Sequence, residues 1–270
     1  TAVCLRGGYR MKTLYEEIAI EGLEILKMQA ALNVLDQIAQ QASAEQWSYT
    51  QFLGRLMEKE LAQRHQSKIE MSLKLANFPY LKKIETYDFK AQPSVDQKII
   101  DEIATGRYLE EGRCLLFLGP PGVGKTHLAI GLASLACSQG KRAYYISCAD
   151  LVRKLKLALD ENRLHRAFHN FTRPKVLLID EVGYLELNKV EAGLLFQVIS
   201  KRYELNASII LTSNKHFSNW GDIFANDAVM ATAALDRLLH KSTIINIKGD
   251  SYRLKEKKMA GINTSTEKIS

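Results

Sequence analysis

Eight consecutive residues, GPPGVGKT at 119–126, restrict what this chain can fold into more than any other feature. They fit the pattern G-x-x-x-x-G-K-[ST], and their flanks fit as well. The apolar, β-prone run CLLFL (114–118) comes before them and the helical run THLAIGLASLAC (126–137) follows. Gly119, Gly122 and Gly124 let the loop curl until its main-chain N–H groups point inward. The start of the following helix adds partial positive charge. A loop of this kind cradles phosphate, so Gly119, Pro120, Pro121, Gly122, Val123, Gly124, Lys125, Thr126 and His127 form the expected nucleotide-binding set. Within it Lys125 is placed to reach β- and γ-phosphates, and Thr126 to hold Mg²⁺.

A strand, a glycine loop and a helix imply a sheet, and the chain from about residue 95 supplies the rest of one. AYYIS (143–147), VLLID (176–180), SIILT (208–212) and TIINI (243–247) alternate with helical segments. Runs so nearly apolar suit strands covered on both faces, and their spacing by helices implies a parallel α/β sheet. The expected fold class is α/β: a P-loop core with a five-stranded parallel sheet.

Acids emerge at the C-terminal end of VLLIDE (176–181), the end at which open α/β sheets bind ligands. Asp180 suits the metal shell. Glu181 can orient and activate a water for attack on a γ-phosphate. Together with the loop they predict a hydrolytic nucleotide triphosphatase. Asn214, just past the buried run IILTS, is placed to hold the attacking water or to serve as an ordinary turn residue.

Upstream of this core, apolar residues at Leu14, Ile18, Ile25, Met28, Leu32, Leu35 and Ala39 form a helical stripe over 13–40. Ser48 with Gln51 reads as a capping box opening a second long helix. Residues 11–78 are therefore expected to form a small all-α domain, either a packing appendage or a partner- or DNA-binding module. Pro79 and Pro93 bracket a stretch of weak periodicity, so 79–94 reads as a linker into a nucleotide-binding domain at 95–258. Residues 1–10 read as upstream sequence and 259–270 as a polar tail. The content of apolar and charged residues is that of a globular protein and excludes a disordered, collagen-like or disulfide-stapled chain. The longest uncharged stretch, Thr126 to Gly140, is too short and too polar to span a membrane. TAVCLRGGYR lacks the apolar core of a secretory signal. Cys4, Cys114, Cys137 and Cys148 show neither a C-x-x-C pair nor zinc spacing, which predicts reduced thiols and a cytoplasmic setting.

Seven segments taken together carry a family resemblance: GPPGVGKTHLA, LLIDEVGYL, LLFQVISKRYE, ILTSN, FSNWGDIF, ALDRLLHKS and KGDSYRLK. They resemble the IstB family, helper ATPases encoded by bacterial insertion sequences beside a transposase. The resemblance runs over most of 95–255 and weakly over the N-terminal helices. The same core is similar to the DnaC-like helicase loaders of the AAA+ initiator clade. The resemblance implies ATP as the nucleotide, its hydrolysis with Mg²⁺, and oligomerisation on duplex DNA through ATP-bridged interfaces. It also implies delivery of that DNA to a cognate transposase in a bacterial cytoplasm. A replicative helicase loader shares nearly all of these site residues and is the alternative function. The family's D-R-L arginine, here Arg237, acts on the neighbour's ATP, and its S-Y-R arginine, here Arg253, senses nucleotide in its own subunit. The stretch from Ser213 to Lys258 leaves no room for a full helical lid, so the AAA+ lid is expected to be reduced or absent.

The formal charge of +7 favours a polyanionic partner. Residues 151–175 are strongly basic, and initiator-clade proteins insert an extra helix near this place. Asp150 is expected to cap that helix. Arg153, Lys154, Lys156 and Arg163 are the candidate contacts to DNA phosphates. A second cluster, Arg55 to Lys90, has eight Lys or Arg against five acids and is a further candidate for DNA or transposase. Aromatics are not interleaved at stacking intervals in either cluster, which favours a duplex backbone over a single strand.

Overall fold

The structure is a computed structural model that describes residues 13–252. The chain divides into two compact units, with the boundary after Lys68. The first unit is helical. It comprises α1 (Leu14–Ile25), α2 (Gln29–Ala44) and most of α3 (Tyr49–Leu75). Thr13 opens α1 with a capping box to Glu16, and Ser48 Oγ accepts from Gln51 N–H at the start of α3, as the Ser48/Gln51 spacing predicts.

The stripe over 13–40 is two helices rather than one. Lys27 takes the left-handed conformation (φ 54°), Met28 N–H bonds back to Leu23 O, and Lys27 N–H to Glu24 O. That is a Schellman stop without glycine. The apolar step of seven from Ile18 to Ile25 conceals it, because the same spacing serves a continuous helix. Met28 offers α2 no side-chain cap, and a residue from α3 does so instead. Buried Glu60 accepts from Ala30 N–H (3.1 Å) and Ala31 N–H (3.2 Å). Arg64 donates to Glu60 (2.7 Å) and to the carbonyls of Leu26 and Lys27 at the end of α1.

The second unit follows as a 3-10 turn (Ile84–Thr86), α4 (Gln97–Ala104), α5 (Arg107–Glu111), β1 (Cys114–Leu118), α6 (Lys125–Ser138) and β2 (Ala143–Ser147). Then come α7 (Cys148–Asp160), α8 (Leu164–Thr172), β3 (Val176–Val182), α9 (Lys189–Glu204) and β4 (Ser208–Ser213). The described chain closes with a 3-10 turn (Phe217–Asn219), α10 (Trp220–Ile223), α11 (Ala228–His240) and β5 (Ser242–Asn246). All five expected strands pair in parallel, in the order β2-β3-β4-β1-β5. Successive strand residues feed opposite cores. Leu116, Leu177 and Ile179 pack with α7, α9 and α11, whereas Leu115, Phe117 and Leu178 pack with α4 and α6. Burial on both faces is why these runs lack polar alternation.

The stretch 79–94, expected to be a linker, lies within the second unit. Ile84 and Phe89 pack against the core on the α6 side, and Tyr87 is buried there. Gly131 in α6 permits this contact, since a Cβ there would stand 3.0 Å from Ile84. Asp150 is not the cap of α7. Ser147, at the end of β2, accepts from Asp150 N–H, so the helix starts three residues earlier. Asp150 stands in the first turn, where its charge suits the helix dipole, and pairs with Arg153. Arg202 of α9 is fully buried and donates to the carbonyls of Phe171, Pro174, Lys175 and Ser208, which ties α8, β3 and β4 together. No described helix is long and apolar enough to cross a membrane.

Candidate nucleotide site

Strand order assembles the site. With β4 between β1 and β3, the loop after β1 and the acids of β3 flank the end of β4 on one edge of the sheet. A cavity of about 470 Å³ opens there, and loop residues, Glu181, Thr212 and the 80–88 segment line it.

The loop has the conformation its glycines predict. Gly119, Gly122 and Gly124 all have positive φ. A Cβ on Gly119 would fall 2.1 Å from Ile247 O, and one on Gly122 2.1 Å from Ser251 Oγ, so space as well as φ requires glycine. Lys125 opens α6 and is buried, with Nζ donating to the carbonyls of Gly119 and Pro120 at 2.8 Å each. Pro121, Gly122 and Val123 line the cavity, and Tyr87 donates its hydroxyl to Val123 O. Burial of Tyr87 pushes its phenol up to about 12, so it remains a donor at neutral pH. His127 Nε2 lies 3.1 Å from Lys83 O and 3.2 Å from Thr86 Oγ1, with its ring edge-on to Tyr87. Burial lowers its pKa, which favours the neutral ring. His127 thus ties α6 to the preceding 3-10 turn.

Buried Asp180 is gripped at both oxygens. Thr126 donates to Oδ1 at 2.9 Å, Thr212 also donates to Oδ1, and Tyr145 of β2 donates to Oδ2 at 3.0 Å. Burial, then the charge of Asp180 and the hydrogen bond to it, push the Tyr145 pKa well up, so its hydroxyl stays a donor. A hydroxyl beside a carboxylate is a hard oxygen donor set and fits Mg²⁺. Among the described residues no group of three or more His, Cys, Asp or Glu could hold a metal. Phosphate oxygens would have to complete the shell, as they do for nucleotide-bound Mg²⁺. Glu181, next in sequence, has an exposed side chain on the cavity and a left-handed backbone (φ 60°). For a non-glycine residue that conformation costs about 1–2 kcal/mol.

The remaining candidates separate. Asn214 lies one residue past β4, with Oδ1 buried and unbonded, but it does not line the cavity. Arg237 of α11 is half-buried, donates to Ala233 O (2.7 Å) and lies over the Phe196 ring at 5.0 Å. It faces a second depression, with Tyr203, His240 and Lys241, that shares no lining residue with the nucleotide cavity. Arg253 lies outside the described residues. Its neighbour Tyr252 donates N–H to Gly122 O and lines the cavity. Of the four DNA candidates, Lys154 and Arg163 meet in a groove of about 420 Å³ between α7 and α8. Arg153 is paired with Asp150 and Lys156 with Glu191, and neither lines that groove.

Sequence reasoning missed Thr212, Tyr145, Tyr87 and, in the groove, Arg166. Thr212 has a sequence signal, a hydroxyl within the otherwise apolar run IILT. Tyr145 has none, since only the β2–β3 register brings it to Asp180.

The IstB-like ATP binding protein family matches residues 21–260. Over 222 residues the chain is 49% identical to a protein of insertion sequence IS5376 from Geobacillus stearothermophilus, covering 82% of this chain and 88% of the relative. Over 242 residues it is 45% identical to an IS21 protein from Pseudomonas aeruginosa, covering 90% and 91%. Both relatives bear the name of ATP-binding protein provisionally. Among solved structures, DnaI is similar with a TM-score of 0.54 at 19% identity, covering 62% of this chain and 91% of that one. A DNA replication initiation factor gives 0.53 at 19%, covering 69% and 57%. At these identities the likeness is one of fold.

Proposed function

Because this chain belongs to the IstB-like family of insertion-sequence ATP-binding proteins, we propose that it is an ATP-hydrolysing switch that assembles on duplex DNA and recruits or stimulates its transposase in the bacterial cytoplasm. One observation carries the hydrolytic part. Thr126 is bonded to Asp180 while Glu181, the next residue, projects an exposed carboxylate into the same cavity.

The loop N–H groups and the α6 N-terminus bind the phosphates. Lys125 exchanges its two carbonyl bonds for phosphate oxygens, and charge-assisted bonds of that kind are the stronger ones. Mg²⁺ held at Thr126 and Asp180 would supply positive charge against the β- and γ-phosphates. Glu181 accepts a proton from water as the water oxygen bonds to γ-phosphorus. The bond from γ-phosphorus to the bridging oxygen breaks, leaving ADP and phosphate. Asn214 would orient that water only by turning its buried, unbonded Oδ1 toward the cavity, which it does not line. Arg253, in the family's motif position, senses the nucleotide in its own subunit. Arg237 completes a neighbour's site, a reading supported by its separation from the cavity of its own subunit. DNA phosphates contact the basic α7–α8 region, with Lys154 and Arg163 the better-placed pair and Arg153 and Lys156 at its margin.

Paired substitutions test the core of this reading. Lys125→Ala should lose affinity for a fluorescent ATP analogue by about 10- to 100-fold, given ~1.5–3 kcal/mol per charged hydrogen bond. Glu181→Gln should keep that affinity and lose about 100-fold or more in turnover, since a general base contributes roughly 10²–10⁴-fold. Parental turnover in the glutamine variant would remove Glu181 from the water-activating role.

A further inference from the structure

The β3–β4 ladder slips at the site. Ile179 is opposite Leu211 and Val182 is opposite Ser213, so Asp180 and Glu181 both stand opposite the single residue Thr212. This is a β-bulge, a device that re-aims a side chain at the cost of ladder hydrogen bonds. Side-chain hydroxyls replace the lost bonds. Thr212 Oγ1 accepts from Glu181 N–H at 3.0 Å and donates to Asp180 Oδ1. Ser213 Oγ donates to Val182 O at 2.7 Å. Thr212 is buried directly after Ile209, Ile210 and Leu211, in a strand whose two end residues, Ser208 and Ser213, are buried as well. A valine there would suit the strand and the core better, and it would provide neither bond.

We propose that Thr212 is a positioning residue for hydrolysis. Its hydroxyl holds the left-handed backbone of Glu181, so that the carboxylate faces the cavity, and fixes Asp180 towards Thr126 in the same stroke. A hydroxyl has one proton and two lone pairs, which is enough for both bonds at once. Thr212 borders the cavity, but its hydroxyl is committed to the two acids, and it acts through them. This inference rests on the hydrolytic reading above, and its test separates the two.

Thr212→Val and Thr212→Ser are compared with the parent in three measurements: amide hydrogen exchange at Glu181, ATP-analogue affinity, and turnover. In the valine variant Glu181 should exchange at least tenfold faster and kcat should fall by about 10- to 100-fold, the scale of a misplaced reacting group. Affinity should stay within twofold, and serine should restore exchange and kcat together. Parental exchange at Glu181 in the valine variant overturns the proposal, as does parental kcat. A kcat lost in proportion to affinity and thermal stability also overturns it, since that is the pattern of a merely structural residue. A parent that binds ATP without turning it over defeats the hydrolytic reading, and Glu181 exchange then decides the positioning claim alone.

Discussion

The carboxylate of Glu60 shows how much one buried atom pair can carry. It supplies the cap that Met28 cannot, by accepting from the N–H groups of Ala30 and Ala31 in the first turn of α2. The Arg64 hydrogen bond, with help from the Ala30 and Ala31 N–H groups, holds its pKa below the usual 4.5. A carboxylate whose folded pKa is depressed adds stability that is complete above its unfolded pKa and is lost as pH falls through the folded value. Helix content of the N-terminal residues should therefore hold from neutral pH down to about 4.5 and fall below it. In Glu60→Gln that acid-limb loss should flatten. Circular dichroism of both proteins across pH 3–7 checks this, and identical acid limbs would assign the loss to other groups. At this scale the sequence was legible where chemistry is local. GPPGVGKT and the Asp180–Glu181 pair announce themselves because their neighbours in the chain are their neighbours in space. Glu60, Tyr145 and Thr212 were hidden because their partners lie on other elements.

Elements were legible wherever burial imposes a pattern. All five strands stand where apolar runs predict them, and their limits shift only by a residue or two. Helix ends were harder to read, since a cap can come from several nearby residues. Ser147 displaces Asp150 at α7 because the strand before it delivers a serine in extended backbone, as a cap requires. The same region carries the DNA reading. Reversing the charge of Lys154 and Arg163, which share the α7–α8 groove, should weaken duplex binding and make log K fall less steeply with log salt. Each phosphate contact contributes a slope of about −0.9, so loss of two should reduce it by roughly 1.8. Arg163 is paired with Glu161 just as Arg153 is with Asp150 and Lys156 with Glu191, so place rather than pairing separates the two sets. Reversing Arg153 and Lys156, which do not line the groove, should change the slope less. Binding measured across a salt series decides it. An unchanged slope in the groove variant would move the DNA path elsewhere, with the basic stretch from Arg55 to Lys90 the next place to test.

At the scale of the molecule, strand order is what the sequence left open. Parallel pairing follows from alternating strands and helices, but nothing local places β4 between β1 and β3, and that placement makes loop, acids and Thr212 one site. It also leaves Arg237 out. Leu238 of α11 is buried, Leu235 and Leu239 lean on the core, and Asp236 is exposed. Arg237 lies between these faces, braced by Ala233 O and the Phe196 ring, in a depression separate from the nucleotide cavity. On the reading proposed above, a cation so placed acts on the ATP of a neighbouring subunit. Arg237→Ala should therefore spare nucleotide binding by isolated subunits. It should lower DNA-stimulated turnover by about 10³-fold, the scale of a missing arginine finger. Mixing it with Lys125→Ala subunits should restore part of the turnover, because one class of interface then joins an intact loop to an intact arginine. A role within its own subunit gives no rescue at any mixing ratio. Absence of rescue between variants shown to fold and to co-assemble would return Arg237 to the structural role that its contacts with Ala233 and Phe196 already describe.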